Sequence, residues 1–274
     1  MQERDLIRAA TFNVRYGTAN DGPNRWEERK GIFMDAVRDL APHVMGVQEC
    51  LPFQGDSIKM AFPYMDRVGV GRYHEAVEEK RPHESRSGEH CDIWFDARRY
   101  LAESCGAFWH SDTPEMPGSI TWGNNLPRMT TWAILSDRLL GGRLAFFCTH
   151  YHGGEPCCTK ATDLSIRRIR EIAGKLPRIL VGDFNLTPDN ANHARYTGKE
   201  PDGAGLVDVW QALGNSEEGA GSCHDNFCGV PKTRIDWILI GGGLKPVSVK
   251  RSMFQKDGRF PSDHFPILAE LALK

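Results

Sequence analysis

Apolar residues recur along the chain in short runs that are rich in Val, Ile, Phe, Trp and Thr. Runs of this length and composition, bounded by polar and turn-forming residues, are typical of β-strands. The sequence therefore predicts eight strands, at residues 9–14, 44–49, 92–95, 130–135, 143–150, 178–184, 234–240 and 266–273.

Two further segments, residues 25–41 and 161–176, repeat apolar residues at the spacing of a helix face. The stripes consist of Ile32, Phe33, Ala36, Val37 and Leu40 in the first segment and of Leu164, Ile166, Ile169 and Ile172 in the second. A proline follows each segment, as expected at the end of a helix. A strand follows each helix, whereas other strands follow one another directly. This order predicts an α/β protein (α+β type) with a mixed sheet, or two stacked sheets with outer helices, rather than a doubly wound parallel sheet.

Two long polar stretches, residues 72–90 and 110–127, interrupt this pattern. Loops of such length in a compact domain usually have a function. Strand-like sequence resumes directly on both sides of each stretch, so neither is typical of an interdomain linker, and we expect a single domain over residues 1–274. Within the first stretch, residues 77–86 are interpreted as a solvated loop face, with a substrate lid as the alternative.

The charge and the cysteines restrict the possible partners. The chain has 34 Lys and Arg against 36 Asp and Glu, a net charge of -2, whereas proteins that coat long nucleic acids need a basic face. No apolar run approaches the roughly 20 residues that span a bilayer, and the N-terminus lacks the apolar region of a signal peptide. We therefore expect no membrane span and a cytoplasmic location. The eight cysteines are expected to be reduced thiols, because their spacing fits neither a disulfide scaffold nor a zinc site.

Acids, amides and histidines occur at the ends of the predicted strands. Burying one of them is costly unless it is paired or binds a metal, so the economical explanation of the whole set is one shared pocket. Carboxylate and amide oxygens suit Mg²⁺ or Mn²⁺, and histidines with acidic partners suit proton transfer. Together they predict hydrolysis of a phosphate ester. The set comprises Asn13, Glu49, His150, Asp183, Asn185, Asp236, Asp263 and His264.

The same residues lie in a series of motifs that resembles a known family. TFNVRYG, GVQE, FFCTH, LVGDFNLTPD, RIDWILI and SDHFPI occur in this order between Phe12 and Leu268. The series resembles the endonuclease/exonuclease/phosphatase (DNase I-like) superfamily, which includes pancreatic-type DNase, abasic-site endonucleases, sphingomyelinases and inositol polyphosphate 5-phosphatases. Other stretches resemble a less characterised microbial branch. The resemblance implies a four-layered α/β sandwich of two packed mixed β-sheets flanked by helices, with the site at one edge of the sheets.

The resemblance also implies a metal site that holds Mg²⁺ or Mn²⁺. Glu49 would be the direct ligand, Asn13 would hold or position the metal, and Asp263 would contribute to metal or water binding.

For catalysis, the resemblance implies that Asp183 orients and deprotonates the attacking water and that Asn185 binds the scissile phosphate. His264 would contact a phosphate oxygen, with Asp236 fixing its tautomer. His150 resembles the second histidine of the nuclease branch, and the position of its usual glutamate partner is Glu89 in this sequence.

Three further residues are candidates for substrate binding. The resemblance implies that Arg15, in the FNVR stretch, reaches a phosphate. Arg128 offers the bidentate fork of a phosphate clamp, and a structural ion pair is an equally good interpretation. His224 resembles a residue at the edge of the site, although a lone histidine in a loop is more often simply solvated.

The chain departs from the family pattern at two places near the expected site. The family usually has Thr-His-Leu-Asp where this chain has Thr-His-Tyr-His, so His152 replaces an aspartate. Asp92 replaces an apolar residue beside Cys91. Both changes are expected to bear on metal preference or substrate rather than on hydrolysis itself.

These observations predict a divalent-metal-dependent phosphoesterase. A phosphodiesterase or nuclease that acts on nucleic acid or nucleotides is the leading hypothesis, and a phosphomonoesterase for a small phosphorylated metabolite or phosphoinositide is the alternative. The near-neutral charge favours a small or single-stranded substrate over long duplex DNA. A protein that binds without catalysis is the third hypothesis, and the intact set of acids argues against it.

Overall fold

A computed structural model of the chain describes residues 5–74, 87–199 and 203–273. The interpretation of residues 77–86 as a solvated face or a lid lies outside these ranges. The described residues form twelve strands and five α-helices. In chain order they are β1 (Ile7–Asn13), α1 (Trp26–Leu40), β2 (Val44–Cys50), α2 (Pro52–Ala61), β3 (Met65–Val68), β4 (His90–Asp96), β5 (Tyr100–Trp109), β6 (Met129–Asp137), β7 (Arg143–His150), α3 (Cys157–Ala173), β8 (Arg178–Asp183), α4 (Ala191–Thr197), β9 (Val207–Asp208), α5 (Val209–Ala212), β10 (Asp236–Gly241), β11 (Leu244–Arg251) and β12 (Ile267–Leu273).

The strands form two six-stranded sheets. The first has the order β11-β12-β1-β2-β4-β3 and the second has the order β5-β6-β7-β8-β10-β9. Both sheets are mixed, because β1 runs parallel to β2 and antiparallel to β12, and β7 runs parallel to β8 while β10 runs antiparallel to β8. Two mixed sheets with flanking helices confirm the predicted α/β sandwich.

Three hydrophobic clusters separate the four layers. The central cluster joins the inner faces of the sheets, with residues such as Ile93 and Phe146. A second cluster packs α1 and α2 on the outer face of the first sheet through Phe33 and Ile58, and a third packs α3 and α4 on the second sheet through Leu164. Alternate residues of a central strand therefore enter different cores, which explains why the strands read as nearly continuous apolar runs.

The two sheets approach each other closely at β2, where Gly46 faces the second sheet. A Cβ atom at this position would lie 2.4 Å from Val181 Cγ2 and 2.9 Å from Cys148 Sγ. Only a residue without a side chain fits at such a distance. This close approach brings the ends of β1 and β2 next to the ends of β7 and β8.

The predicted strands and helices are all present, and their bounds shift by a few residues. The largest shift is in α3, which begins at Cys157 rather than at residue 161. Strands β3, β5, β9 and β11 and helices α2, α4 and α5 were not predicted from the sequence. β5 and β11 are edge strands with mostly exposed or half-buried residues, so they lack the apolar runs by which the others were recognised. Residues 111–128 are irregular, as predicted for the second polar stretch.

The longest helix of the described ranges is α3, with 17 residues. Neither α3 nor any other helix of these ranges combines the length and the apolar character needed to cross a membrane.

Candidate active site

The alternation of side chains along the strands delivers a set of polar residues to one edge of the sandwich. The inner face of β7 ends in His150, that of β8 ends in Asp183, and β10 begins with Asp236. In the sheet register Asp183 is paired with His150 on one side and with Asp236 on the other. Directly paired residues share a face, so these three side chains point together toward the first sheet, where β1 ends in Asn13.

Glu49 reaches the same place only because β2 is irregular at its end. Its neighbour on the same face, Val47, packs in the outer core under α1 and α2, and regular alternation would turn Glu49 in that direction as well. Instead, the pairing of β2 with β4 shifts register between Val47 and Cys50, and Glu49 has a φ of 60°. A bulge of this kind re-aims a side chain, and here it directs the carboxylate into the site.

Asn13 connects the two carboxylates nearest to it. Its Nδ2 donates to Glu49 Oε1 and to Asp183 Oδ2, both at 3.0 Å, while its Oδ1 accepts from the backbone N–H of Arg15 at 2.9 Å. Because both neighbours of the nitrogen are acceptors, the orientation of the amide is fixed. The amide oxygen of Asn13 has a second lone pair beyond the bond from Arg15, so both predicted roles of Asn13, holding the metal and positioning it, stay predictions.

Asp183 Oδ2 is the centre of the cluster. Besides Asn13, it faces His150 Nε2 at 3.5 Å and His264 Nε2 at 3.8 Å. Asp183 Oδ1 accepts from the backbone N–H of Asn185 at 2.9 Å. Burial and the neighbouring charge of Asp236 raise the pKa of Asp183 to about 7, which suits a group that takes and releases a proton near neutral pH.

His264 and Asp236, which the family resemblance pairs, lie within hydrogen-bond distance of each other. The Nδ1 atom of His264 lies 2.9 Å from Asp236 Oδ2. Burial alone would lower the pKa of His264, but the charge and hydrogen bond of Asp236 raise it well above its ordinary value, so the ring is cationic. Ser222 was missed by the sequence analysis: its hydroxyl donates to the same Asp236 oxygen at 2.7 Å and accepts from the backbone N–H of Asp236 at 3.0 Å. Its position two residues before His224 was the only signal.

Two further carboxylates of the pocket, those of Asp263 and Glu49, have different surroundings. Asp263 lies 3.7 Å from Arg15 Nε. Burial and the charge of Glu49 raise the pKa of Asp263, against the opposing charges of His264 and Arg15. For Glu49, burial also favours the neutral form, but hydrogen bonds from Asn13 and from the backbone of Tyr16 and the charge of His264 hold its pKa below the ordinary value. Arg15 forms a bidentate pair with Asp21 at 2.9 and 3.1 Å, so its guanidinium is shared between Asp21 and Asp263.

Glu89 lies near His150, and its carboxylate is paired with the guanidinium of Arg72. Its Oε2 accepts from Arg72 Nη1 at 2.9 Å, and both side chains are almost fully buried. Glu89, Arg72 and His150 line one cavity of about 10 Å³ together with Arg128, a volume that holds about one water molecule. Burial and the charges of Arg128 and Arg72 lower the pKa of His150 well below its ordinary value, so this second histidine is neutral.

Arg128 has unused donors. Met129, the next residue, is paired with His150, which places Arg128 at the edge of the site. Its Nε and Nη1 are buried and have no hydrogen-bond partner among the described residues. The sequence left two interpretations of Arg128, a phosphate clamp and a structural ion pair. These two nitrogens do not support the ion pair, whereas a guanidinium with free donors suits an anionic ligand such as phosphate.

His224 is buried rather than solvated, which corrects the interpretation as an ordinary loop histidine. Its Nδ1 accepts from the backbone N–H of Gly229 at 2.8 Å, so Nε2 carries the proton and donates to the carbonyl of Ser262 at 2.9 Å. The ring also stacks on Phe265 at 4.4 Å. Both ring nitrogens are engaged by backbone groups, so the structure gives His224 a structural role instead of a substrate contact.

Asn185 is the exposed member of the set. Its Nδ2 donates to the carbonyl of Tyr151 at 3.0 Å, and its φ is 50°. Arg15 and Glu49 also have left-handed backbones, at 57° and 60°. Such conformations cost of order 1–3 kcal/mol each for residues other than glycine and cluster at functional sites. Three of them around one pocket support its assignment as the active site.

The two departures from the family pattern have different surroundings. His152 is half-buried at the mouth of the site, and burial and the charge of Arg128 lower its pKa. Asp92 is fully buried and lies 3.1 Å from His90 Nδ1 and 3.4 Å from Arg67 Nη1. The buried carboxylate at residue 92 is therefore compensated by its own partners and does not enter the pocket.

The donor set fits a hard divalent cation. The ligand atoms of Glu49, His150 and Asp183 lie within 4.8 Å of one another, and a second group of this kind comprises Asp183, Asp236 and His264. The Oδ1 atom of Asp236 is buried and has no hydrogen-bond partner within the described part of the chain. Carboxylates crowded together out of water favour a bound cation, and their oxygens suit Mg²⁺ or Mn²⁺.

Comparisons with known proteins agree with this geometry. A model of the "Endonuclease/Exonuclease/phosphatase family" matches residues 10–264, while no match was found among curated proteins. The crystal structure of an endonuclease/exonuclease/phosphatase from Bacteroides vulgatus is 26% identical, with a TM-score of 0.85 and coverage of 98% of this chain and 99% of that one. A mannosyl-6-phosphatase from Bacteroides thetaiotaomicron is 25% identical, with a TM-score of 0.83 and coverage of 97% and 100%.

A more distant structure shares the fold alone. D. rerio TDP2 complexed with a single-strand DNA product is 19% identical, with a TM-score of 0.72 and coverage of 97% of this chain and 98% of that one. The family match extends over nearly the whole chain and includes every residue of the pocket. The chain therefore belongs to the endonuclease/exonuclease/phosphatase family, whose members are phosphate-ester hydrolases.

Proposed function

We propose that the protein is a divalent-metal-dependent phosphoesterase in which Asp183 activates the attacking water. The position of Asp183 Oδ2 carries this proposal, since it faces Asn13, His150 and His264 within 3.0 to 3.8 Å. A carboxylate with a pKa of about 7 is an effective general base near neutral pH, because it is partly ionised and still basic enough to accept a proton.

The two histidines have different charges and therefore different roles. His264 is kept cationic by Asp236, so it stabilises the negative charge that develops on a phosphate oxygen. His150 is kept neutral by burial and by Arg128 and Arg72, so it is a hydrogen-bonding group rather than a counterion. Asn185, the exposed member of the set, binds the scissile phosphate.

The metal is proposed to be Mg²⁺ or Mn²⁺. Glu49, whose ligand atom lies within 4.8 Å of those of His150 and Asp183, is the direct ligand, and Asp263 contributes to metal or water binding. When bound, it supplies positive charge that polarises the phosphate ester. Asn13 orients Glu49 and Asp183 through its two donated hydrogen bonds. Arg15 lies beside Asp263 and limits the excess of negative charge in the pocket.

We infer that the substrate is a small phosphate monoester, although the sequence favoured a phosphodiester. The relative with a stated small-molecule activity, the mannosyl-6-phosphatase, is matched over 97% of this chain. A monoester phosphate carries more negative charge than a diester, and Arg128 offers two buried donors without a partner within the described ranges. The net charge of -2 does not favour a polyanionic substrate.

The test is a hydrolysis screen after exhaustive metal removal, with EDTA, Mg²⁺ and Mn²⁺ as separate conditions. The substrates are p-nitrophenyl phosphate, bis-p-nitrophenyl phosphate, hexose 6-phosphates, nucleotides and single-stranded oligonucleotides. Asp183→Asn is the inactive reference. We expect hydrolysis of the monoesters, its loss in EDTA and its recovery with Mg²⁺ or Mn²⁺.

The outcomes separate the parts of the proposal. Faster hydrolysis of bis-p-nitrophenyl phosphate or oligonucleotides than of any monoester would restore the phosphodiesterase hypothesis. Undiminished turnover in EDTA would overturn the role of the metal. A lack of hydrolysis of every substrate class, with intact metal binding, would favour the non-catalytic binding protein.

A further inference from the structure

Helix α1 carries a buried arginine that the mechanism does not use. Arg29 is 0% exposed, and its guanidinium lies 5.1 Å from the ring centre of Trp26 and 5.6 Å from that of Phe227. Burying an arginine in this way is costly unless its donors are satisfied. The nature of its partners therefore indicates what the residue does.

All the hydrogen bonds of the Arg29 guanidinium in the described structure go to backbone carbonyls. Nη1 donates to Val14 at 2.8 Å and to Pro261 at 2.7 Å, Nη2 donates to Arg15 at 2.8 Å, and Nε donates to Asn24 at 2.9 Å. Burial lowers the pKa of Arg29 to about 10, against the opposing charge of Asp263, so the side chain is cationic at neutral pH. One planar group thus joins the segment around residues 14–24 to Pro261, which is 232 residues away from Arg29 in the sequence.

Both of these segments carry the proposed metal site. The turn that contains Val14 and Arg15 presents two backbone N–H groups: that of Arg15 donates to Asn13 Oδ1 and that of Tyr16 donates to Glu49 Oε2 at 3.1 Å. The left-handed backbone of Arg15 turns these N–H groups toward Asn13 and Glu49. The carbonyl of Arg15 accepts a hydrogen bond from Arg29.

The carbonyl of Pro261, which also accepts from Arg29, lies at the start of the loop that bears Asp263 and His264. Ser262, the residue between, donates from its hydroxyl to the carbonyl of Asn13 at 2.7 Å. The loop and the turn are therefore tied together twice, once by Ser262 and once by Arg29. A displacement of either segment would separate Asp263 from Glu49.

We propose that Arg29 is a positioning residue for the metal site. Arg29 holds the turn at residues 14–16 and the loop at residues 261–264 at a fixed spacing, and this spacing lets Glu49 and Asp263 share one cation. This role rests on the proposed metal-dependent function. Partners behind the ligands of a metal site typically change affinity by about 10 to 100-fold when they are removed. The fork geometry matters, because a lysine has one nitrogen and cannot reach both segments while keeping the planar arrangement.

Arg99 provides a matched control within the same chain. It is also buried, at 6% exposed, and it donates to the carbonyl of Leu6 and to Asp137 Oδ2. Leu6 precedes β1 at the end opposite to Asn13, so Arg99 lies at the far end of the sandwich. Loss of Arg99 should therefore reduce stability without changing the metal site.

The experiment measures Mn²⁺ binding to the metal-free protein by titration calorimetry, for the wild type, Arg29→Lys, Arg29→Met and Arg99→Lys. Thermal unfolding and near-ultraviolet circular dichroism report the fold of each protein. We expect both Arg29 variants to bind Mn²⁺ at least 10-fold more weakly than the wild type, and Arg99→Lys to bind as the wild type does although it unfolds at a lower temperature. If Arg29→Met does not fold, the lysine variant decides.

Wild-type affinity in Arg29→Lys would overturn the proposed role, because the charge alone would then suffice. An equal loss of affinity in Arg99→Lys would overturn it as well, since the effect would be one of general stability. If the wild-type protein binds neither Mn²⁺ nor Mg²⁺, the metal-dependent function is overturned together with the role of Arg29. The titration of the wild type alone identifies this outcome.

Discussion

Asn13 and Asp183 belong to different sheets, and the amide of Asn13 donates to Asp183 Oδ2 at 3.0 Å. The same nitrogen donates to Glu49, so one amide separates two carboxylates that would otherwise repel each other. The contact lies at the point where the inner faces of β1 and β8 end. The active site of this protein is therefore a junction between the sheets rather than a feature of either one.

Replacing this amide by a carboxylate is expected to weaken the site. In Asn13→Asp the shape is kept, but a third carboxylate faces Glu49 and Asp183, and like charges at this distance disfavour ionisation. We expect turnover to fall by roughly 10-fold or more, and the unfolding temperature of the metal-free protein to fall and to recover in part with Mg²⁺. Asn192→Asp is the control, because Asn192 is equally buried but bonds to Thr159 in α3. Wild-type turnover in Asn13→Asp would contradict the expectation.

Two variants test the roles in proton transfer. Asp183→Asn removes the base and His264→Ala removes the cation beside it, so each should lower turnover by roughly 100-fold or more. Asp183→Asn should not reduce stability, because the ionised carboxylate is disfavoured by burial and by Asp236. Measured kcat values and thermal unfolding check both statements. A variant with near-wild-type kcat would remove that residue from the mechanism.

Much of this site was predictable because its residues interrupt apolar strands. Asn13, His150 and Asp183 lie where an inner-face apolar residue is expected, so period-two alternation and strand ends were enough to find them. Glu49 is different: alternation alone would place it in the outer core, and only the bulge in β2 directs it inward. Its assignment from the sequence rested on its place at the end of an apolar run and on the family resemblance, because no local rule predicts a bulge at that position.

The contacts that were missed arise from tertiary structure. Ser222 and Arg29 reach the site through segments 14 and 232 residues away in the sequence, and neither lies in a motif with its own chemistry. His224 was interpreted from its loop position, although its aromatic neighbours bury it. The edge strands β5 and β11 were missed for a related reason, since one-sided burial leaves a weak pattern.

The stability of the protein should fall in mild acid through His110. This ring is fully buried, its Nε2 lies 3.0 Å from Thr130 Oγ1, and burial and the charge of Arg128 lower its pKa to about 3. The unfolded chain binds a proton at His110 near pH 6.5, whereas the folded protein does not until a much lower pH. Stability is therefore lost as the pH falls below about 6.5, by about 2 kcal/mol at pH 5.

Urea denaturation at pH 7 and pH 5 measures this effect. The decrease in unfolding free energy between the two pH values should be about 2 kcal/mol smaller in His110→Gln than in the wild type. His74 is exposed, so His74→Gln should leave the decrease unchanged. Equal decreases in the wild type and His110→Gln would show that His110 is not kept neutral by the fold.

The last prediction concerns Glu89, which has two possible partners. The family resemblance assigns it to His150, and the structure places its Oε2 2.9 Å from Arg72 Nη1 in a cavity that His150 also lines. If the carboxylate orients His150, Glu89→Gln should lower turnover about as much as His150→Ala, and the double variant should be little worse, because residues that act as a unit are non-additive. If it serves only to balance Arg72, Glu89→Gln should reduce stability by several kcal/mol and leave turnover nearly unchanged.

A kinetic double-mutant cycle on Glu89 and His150, with thermal unfolding of each variant, separates these cases. Asp92→Asn is the control, since Asp92 is a buried carboxylate in β4, the strand that begins directly after Glu89, and it pairs with His90 and Arg67; its effect should add to that of His150→Ala. His152→Asp, which restores the residue usual in the family, is a second control that tests whether His152 is a rival partner of His150. We expect strong non-additivity between Glu89 and His150. Fully additive kinetic losses would show that the two residues act independently, and a loss of stability alone would assign Glu89 to Arg72.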